Sequence, residues 1–460
     1  MKALLLALLA AAQIETVPPP PGPPRQVHLP HAVQATLPNG LRIIVVEKHG
    51  VALVAARLLI ATGSEADPPR LPGLASMTAT VLPKGTATRS AEQIARDVEV
   101  LGATLDTGAG WDNSFLAVDV MSSRFPKALA NMADVMLHPA FAQAEVEREG
   151  QKQIDRLRVT LTDPGRLGIR AEAPVLYGDA PYGHSGLTAA SAAAMKREDL
   201  VAFHERHYTP GNAILVLAGD ITLAEATKLA KENFGSWSGG APGAPTSEHA
   251  TLPKARVVVV DLPDAGQAMV VVARPGLART DPEYAVAEVT NAVLGGGISA
   301  RLSNEIRIKR GLSYGAGSWF DYRRDAGPFT AYSRTKNESA AEVAHLALAE
   351  VNRMATEPVP AEELSVRKAA LIGNFARSLE TNAGLASLIG ELALYGINLD
   401  EIARYIPSID SVTPAQVQQF SKEHLAGPSS IIIVGDAKKL LDSVKKEFPG
   451  VEVMPAASVK

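Results

Sequence analysis

Apolar positions along the chain follow two periods, one typical of strands and one typical of helices. Apolar runs that predict strands lie at 41–46, 51–60, 256–261, 267–273, 313–320 and 329–333. Helical spacing predicts helices at 123–137 and 144–161. Ser90 and Gln93 have the pattern of a capping box, so another helix should begin there and end near Gly102. Groups of strands alternate with groups of helices, which predicts the α+β class, with mainly antiparallel sheets backed by helices.

Two segments far apart in the chain share one pattern. VAFHERHYTPGNAILVLAGD ends at Asp220, and VQQFSKEHLAGPSSIIIVGD ends at Asp436. Each contains a Phe and a His four residues apart, on one helix face, followed by a Pro/Gly turn and an apolar strand. The two pairs are Phe203 with His207 and Phe420 with His424. The pattern predicts two homologous domains related by duplication.

Proline-rich and glycine-rich stretches predict where these domains begin and end. Such stretches are unsuited to a packed core and are typical of linkers. The predicted organisation is a signal peptide at 1–12, a Pro-rich spacer at 13–30, an N-terminal domain at 31–237, a linker at 238–250 and a C-terminal domain at 251–460.

The first residues have the features of a secretory signal. Lys2 precedes an apolar run from Ala3 to Ala12 that ends in a possible A-x-A cleavage site. The run has the length of a signal-peptide core and is too short to span a bilayer. We therefore expect a periplasmic or secreted protein. The alternative is a short apolar tail on a cytosolic protein.

Composition excludes several functions. The 460 residues are 46% hydrophobic and 20% charged, which is ordinary for folded domains. The formal net charge is −4 without a run of basic residues, so nothing in the sequence supports nucleic-acid binding. The chain has no cysteine, which excludes disulfides, thiolate catalysis and thiolate zinc ligands.

The segment from Gly73 to Thr86, GLASMTATVLPKGT, resembles the zinc-binding helix of the pitrilysin, insulinase and mitochondrial processing peptidase family. In that family the helix carries the motif H-x-x-E-H, whose histidines bind zinc and whose glutamate activates a water molecule. The histidine positions fall here on Ser76 and Thr80, and the glutamate position falls on Ala79. The resemblance implies that the fold is kept while this zinc site is lost.

The third zinc ligand of the family, a glutamate on a later helix, precedes an acidic-Pro pair. Asp163 and Pro164 set that register here and place the ligand position at Arg156, 76 residues after Thr80. An arginine at this position would repel the ion. We therefore expect no zinc in this chain.

His204 and His207 are the remaining candidate for a metal site. An H-x-x-H pair on a helix can chelate zinc. However, His207 has a counterpart, His424, in the second half, and no catalytic base accompanies the pair. Helix capping or packing is the favoured interpretation.

The segment LGGGISARLSNEIRIKRGLSYGAGS, residues 294–318, resembles the part of the family that carries an arginine and a tyrosine seven residues apart. Arg307 and Tyr314 take those positions, in a predicted helix that Gly311 ends and in a strand that follows. The resemblance implies that the pair holds the substrate backbone and stabilises the oxyanion in an active site whose zinc is on another chain. The alternative is a surface arginine with a half-buried strand tyrosine.

Three functions follow from these observations. The favoured one is a non-catalytic, substrate-binding subunit of a heterodimeric zinc endopeptidase, with zinc on a homologous partner and unstructured peptides as substrates. The second is an inert scaffold or binding protein of peptidase descent. The third, an autonomous peptidase that uses His204 and His207, is the least favoured.

Overall fold

A computed structural model describes residues 31–242 and 252–459 of the protein. The predicted signal peptide, the Pro-rich spacer and part of the predicted linker lie outside these residues. Within the described ranges, no helix has the length and apolar character needed to cross a bilayer.

The first sheet has six strands in the order β1-β2-β6-β3-β5-β4. They are β1 (Ala32–Thr36), β2 (Arg42–Glu47), β3 (Leu53–Ile60), β4 (Thr104–Ala109), β5 (Ser114–Met121) and β6 (Ala213–Gly219). Only β2 and β6 pair in parallel. The register places Leu58 of the central strand β3 opposite Leu116 on one side and Leu215 on the other. The middle of the sheet is therefore apolar and fully buried.

The second sheet repeats this topology. It has the order β12-β7-β11-β8-β10-β9. Its strands are β7 (Val257–Asp261), β8 (Ala268–Pro275), β9 (Ala316–Phe320), β10 (Pro328–Thr335), β11 (Ser430–Gly435) and β12 (Glu452–Pro455). In both sheets a central parallel pair, β2 with β6 or β7 with β11, is followed by three antiparallel pairs. The sheets differ only in the outermost strand before that pair. Strand β1 is antiparallel to β2, whereas β12 is parallel to β7. The prediction of two α+β units with mainly antiparallel sheets is confirmed.

Helices cover both sheets. In the first half they are α1 (Leu74–Val81), α2 (Ala91–Val100), α3 (Phe125–Leu137), α4 (Gln143–Thr162), α5 (Pro164–Tyr177), α6 (Ala189–Ala194), α7 (Arg197–His207) and α8 (Leu223–Phe234). In the second half they are α9 (Tyr284–Leu294), α10 (Arg301–Ser303), α11 (Ala340–Thr356), α12 (Ala361–Glu380), α13 (Asn382–Leu394), α14 (Glu401–Ser411), α15 (Pro414–Phe420) and α16 (Ala437–Glu447). Two π-helical segments, Asn304–Lys309 and Ser421–Leu425, continue α10 and α15.

The predicted helix-capping residues and the repeated Phe/His pairs agree with the structure. Ser90 and Gln93 form the predicted capping box at the start of α2, and Gly102 follows that helix with φ +61°. The repeated Phe/His pairs also match. Ring centroids are 4.6 Å apart both for Phe203 with His207 and for Phe420 with His424. This shared geometry supports the predicted duplication.

Each half of the chain covers the sheet of the other half. Helix α13 from the second half packs on β3 and β6, where Leu385 and Ile389 are fully buried against Leu59 and Val216. Helix α5 from the first half packs in turn on β8 and β11. Both sheets therefore have helices on two faces, and the two units share their cores.

A buried carboxyl on α5 lies at this shared core. Glu172 is 5% exposed and accepts a hydrogen bond from the hydroxyl of Thr330 on β10. Burial raises the pKa of Glu172 from 4.5 to about 7, although the Thr330 hydrogen bond and the charge of Arg323 act to lower it. The folded protein therefore favours the protonated form of this side chain.

We expect Glu172→Gln to stabilise the protein at pH 8. Because the folded-state pKa is raised, Glu172 contributes most to stability below pH 4.5, and this contribution is lost as the pH rises through about 7. At pH 8 the variant should gain up to about 3 kcal/mol in the free energy of unfolding, and at pH 4.5 almost nothing. Urea unfolding at both pH values measures this, with exposed Glu205→Gln as control. An equal effect at both pH values would contradict the account.

Candidate functional site

Helix α1 occupies the place of the predicted zinc-binding helix. It begins at Gly73, whose φ of +92° is favourable only for glycine, and a Cβ there would come within 2.5 Å of Leu187. The carboxylate of Asp67 accepts hydrogen bonds from the amides of Gly73 (2.6 Å) and Ala75 (2.8 Å). The start of the helix is thus firmly positioned.

The three motif positions on α1 present no metal ligand. Ser76 and Thr80 are half-buried, and the Thr80 hydroxyl donates a 2.8 Å hydrogen bond to the Ser76 carbonyl oxygen. Ala79 is fully buried and offers only a methyl group. The hydroxyl of Thr80 is already used within the helix, and no side chain at these positions can act as a general base.

Arg156 lies on α4, the helix that packs against α1, and its side chain is exposed. Seven residues earlier, Glu149 is buried at 3% exposure. Burial acts to raise the pKa of Glu149, but the 2.8 Å hydrogen bond from Lys152 and the charges of Lys84 and Arg148 outweigh it and lower the pKa. Glu149 cannot be recognised from the sequence, because an acidic residue on a polar helix gives no signal of burial.

These residues do not fit a zinc ion. Zinc in proteins is bound by imidazole, thiolate or carboxylate ligands, and the helix α1 positions supply none of them. The buried carboxylate of Glu149 is already paired with cations of the chain itself. No reaction step in this chain is therefore assigned to a metal at this position.

His204 and His207 take part in packing. The Nε2 atom of His204 lies 2.8 Å from the carbonyl oxygen of Met136, and its ring contacts those of Phe141 and Tyr208. Burial lowers the pKa of His207 to about 4, with a further contribution from the charge of Arg206. His204 thus uses its Nε2 atom in a hydrogen bond to the backbone.

The segment that carries Arg307 is held to the fold by its other cations. Arg301 is 8% exposed and forms a bidentate interaction with Glu363 on α12. Its Nε and Nη2 atoms donate hydrogen bonds of 3.0 and 2.8 Å to the two carboxylate oxygens. Lys309 and Arg310 both pair with Glu305. Arg307 is exposed, and among these four cations it is the one whose side chain forms no hydrogen bond or ion pair with any described residue. Its guanidinium is therefore available to bind an external group.

Tyr314 projects from a loop whose backbone is fixed. Gly311, with φ +65°, ends the helical segment as predicted, but the strand starts only at Ala316, so Tyr314 precedes it. Hydrogen bonds within the loop, and from Ser333 and Thr335 of β10, restrain the backbone on both sides of Tyr314. The predicted strand position of Tyr314 was therefore wrong. Its side chain is 90% exposed, which contradicts the alternative of a half-buried strand tyrosine.

A close backbone contact explains one glycine of the Gly-Gly-Gly run. The carbonyl oxygen of Gly295 accepts a 3.2 Å hydrogen bond from the amide of Ser318 on β9. A Cβ at Gly295 would lie 2.2 Å from that amide nitrogen. The run therefore ends α9 against the edge of the second sheet, and it does not resemble a phosphate-binding loop.

Beside Tyr314 lies an open groove between the two halves of the chain. Its volume is about 840 Å³, and it is lined by residues of the α4–α5 junction and of β8, β9 and β10. Trp319 and Tyr332 form an aromatic pair in it, with ring centroids 4.8 Å apart. Thr160, one helical turn after Arg156, also lines the groove. The groove thus brings Tyr314 near the end of α4, the helix that carries Arg156.

Comparisons with known proteins agree with this geometry. The family model described as insulinase (peptidase family M16) matches residues 42–162, and the model of the peptidase M16 inactive domain matches residues 194–371. The chain belongs to peptidase family M16. The first match spans Ser76, Ala79, Thr80 and Arg156, and the second spans Arg307 and Tyr314.

Relatives of this M16 chain are found in several bacteria. An uncharacterized zinc protease of Streptomyces coelicolor is 26% identical over 411 residues, which cover 88% of this chain and 90% of the relative. One of Mycobacterium leprae is 28% identical over 396 residues, covering 85% and 89%.

Two solved structures share the fold of this M16 chain. A peptidase M16 inactive domain of Pseudomonas fluorescens has a TM-score of 0.83 at 27% identity and covers 88% of this chain and 98% of its own. A protease of Helicobacter pylori has a TM-score of 0.81 at 21% identity, covering 88% of this chain and all of its own, and supports the fold alone. The family and fold predicted from the sequence are thereby confirmed, and a non-catalytic, peptidase-like subunit fits them.

Proposed function

We propose that this chain is the substrate-binding subunit of a heterodimeric zinc endopeptidase. The partner is a homologous chain with an intact H-x-x-E-H motif, and the zinc ion resides there. This chain supplies Arg307 and Tyr314 to the shared active site, where they hold the substrate backbone and donate hydrogen bonds to the oxyanion of the tetrahedral intermediate. It performs no hydrolysis alone.

The observation that carries the proposal is the contrast between two regions of one fold. The zinc positions Ser76, Ala79 and Thr80 face inward or bond within their own helix. In contrast, Arg307 and Tyr314 are exposed and have no partner among the described side chains, while neighbouring groups fix the backbone that carries them. Hydrogen-bond donors that are positioned in advance and have no partner can stabilise a negative charge that develops on a bound substrate.

The substrate class follows from the same arrangement. A peptide that is to lie between two subunits must be extended, because only an unfolded backbone exposes the groups that a sheet edge can pair. We therefore propose unstructured peptides as substrates. The signal-like apolar run from Ala3 to Ala12 supports a further part of the proposal, that the complex works in the periplasm or outside the cell.

Capture from the native host tests the proposal. The tagged chain is isolated with its bound proteins, and the eluate is assayed with a flexible quenched-fluorescent peptide, with and without a zinc chelator. We expect chelator-sensitive cleavage by the eluate and none by the chain purified alone. Stable, stoichiometric partners without cleavage would instead support an inert scaffold. Chelator-sensitive cleavage by the isolated chain would contradict both.

A further inference from the structure

A cavity of about 780 Å³ lies among α9, α12, α13 and α14, away from the Arg307 segment. Its volume is in the range of small-molecule sites, roughly 300 to 1,000 Å³. Phe375 and Leu392 line this cavity and also belong to the apolar core that covers the first sheet. The cavity therefore shares part of its wall with that core.

The charged side chains of the cavity are unbalanced. Four carboxyl groups line it, from Asp281, Glu288, Glu391 and Glu401, against one cation, Arg279. Arg279 pairs with Glu391 and stacks on a tyrosine ring, and Glu401 pairs with Arg404 outside the cavity.

The other two carboxyl groups are held by neutral donors, although the charge of Arg279 also acts on Glu288. Asp281 accepts a 2.8 Å hydrogen bond from the Glu283 amide, and Glu288 accepts one of 2.9 Å from the hydroxyl of Tyr322. Neither forms an ion pair with a described residue. Burial raises the pKa of Glu288, although the Tyr322 hydrogen bond and the charge of Arg279 act to lower it.

Aromatic side chains complete the walls. The Tyr405 ring stacks on Phe375, with centroids 4.2 Å apart and an angle of 23° between the planes. The face of Tyr284 lies 3.8 Å from the Arg279 guanidinium carbon, so this cavity already holds one cation against an aromatic ring. The hydroxyls of Tyr284 and Tyr405 find no hydrogen-bond partner among the described residues.

We propose that this cavity binds a small organic cation, an ammonium or guanidinium group on an aliphatic or aromatic body. The carboxyl groups of the cavity outnumber its one cation, so they attract a positively charged ligand. The faces of the aromatic rings also attract the positive group, and the rings pack against the apolar part of the ligand. A metal ion is a poorer fit, because about half of the lining residues are apolar or aromatic, which suits an organic body better than a bare ion. The site is independent of the proposed role in proteolysis.

Calorimetric titration of the full chain with matched probes tests the proposal. Tyramine carries an ammonium on a phenol, N-acetyltyramine has nearly the same shape without the charge, and agmatine is an aliphatic guanidinium-ammonium. We expect tyramine or agmatine to bind with one-to-one stoichiometry, and N-acetyltyramine to bind at least about tenfold more weakly. Which of the two cations binds more tightly distinguishes an aromatic from an aliphatic body.

Variants locate the binding. Glu288→Gln keeps an acceptor for the Tyr322 hydroxyl, and Asp281→Asn keeps one for the Glu283 amide, so both should fold while removing a charge. Each should weaken binding about tenfold or more. As a control, Glu447→Gln removes a surface carboxylate that faces His345, and it should leave the affinity for the cation unchanged. The proposal is overturned if neither cation binds at millimolar concentration, if N-acetyltyramine binds equally well, or if both cavity variants bind like the parent.

Discussion

Arg307→Ala and Tyr314→Phe should each lower kcat/KM of the complex with the zinc-bearing partner by about 100-fold. Removal of one preorganised donor to an oxyanion has effects of this size, because the donor acts where charge develops and is held in place beforehand. Hydrogen bonds to β10 fix the loop of Tyr314, and the Arg301–Glu363 pair anchors the segment of Arg307. We therefore expect the loss mainly in kcat, measured by initial rates over a range of peptide concentrations.

A matched control separates catalysis from charge and from folding. Lys309→Ala removes an exposed cation two residues from Arg307, and Glu305 keeps its pair with Arg310. This variant should retain nearly full activity. Because Arg307 and Tyr314 are exposed, none of the three substitutions should change the free energy of unfolding by more than about 0.5 kcal/mol. Full activity of the Arg307 and Tyr314 variants in an intact complex would exclude the proposed role.

Residues 31–237, expressed without the second half, should not form a stable folded unit. In the full chain, α13 buries one face of the first sheet, including Leu59 and Val216. Without it, that face would be an apolar patch, and α5 would lose its packing on the second sheet. We expect aggregation or strong binding of a hydrophobic dye, and no cooperative unfolding in urea. Co-expression of residues 251–460 should restore a soluble, cooperative complex.

One substitution in the second half tests whether the shared core is the cause. Ile389→Asp places a charge on the buried face of α13 and should abolish the rescue, since an unpaired buried charge costs several kcal/mol. Val366→Asp, at a position on α12 that is 59% exposed, should leave the rescue intact. A soluble, cooperatively unfolding 31–237 fragment would show that the exchanged helices are dispensable.

Local patterns were sufficient to predict much of the fold. The apolar run that predicted a strand at 51–60 corresponds to β3, and the helix predicted at 144–161 is α4 with one more residue at each end. Capping boxes and helix-ending glycines are set by neighbours in sequence, so they can be recognised without the tertiary structure. The exchange of α5 and α13 between sheets left no such trace, because an amphipathic helix does not reveal which sheet its apolar face will cover.

The candidate site was predictable only in part. The resemblance supplied the positions of Ser76, Thr80, Arg307 and Tyr314 in this sequence, and the roles of the last two stay predictions. Their exposure depends on long-range contacts, such as the bond from Thr335 that fixes the loop before β9. The acidic cavity is likewise assembled from residues far apart in the chain, between Arg279 and Ser408, and no spacing in the sequence signals it. The burial of Glu149 depends on tertiary packing and leaves no sequence signal either.

The most direct test of the account compares the purified subunits apart and mixed. The chain, its zinc-bearing partner and mixtures of rising ratio are assayed with one flexible peptide, and zinc is measured in each preparation. The account predicts negligible activity of either subunit alone, activity that rises to a maximum at a one-to-one ratio, and zinc only in the partner. A partner that is fully active alone and unaffected by this chain, or zinc-dependent activity of this chain without a partner, would contradict it.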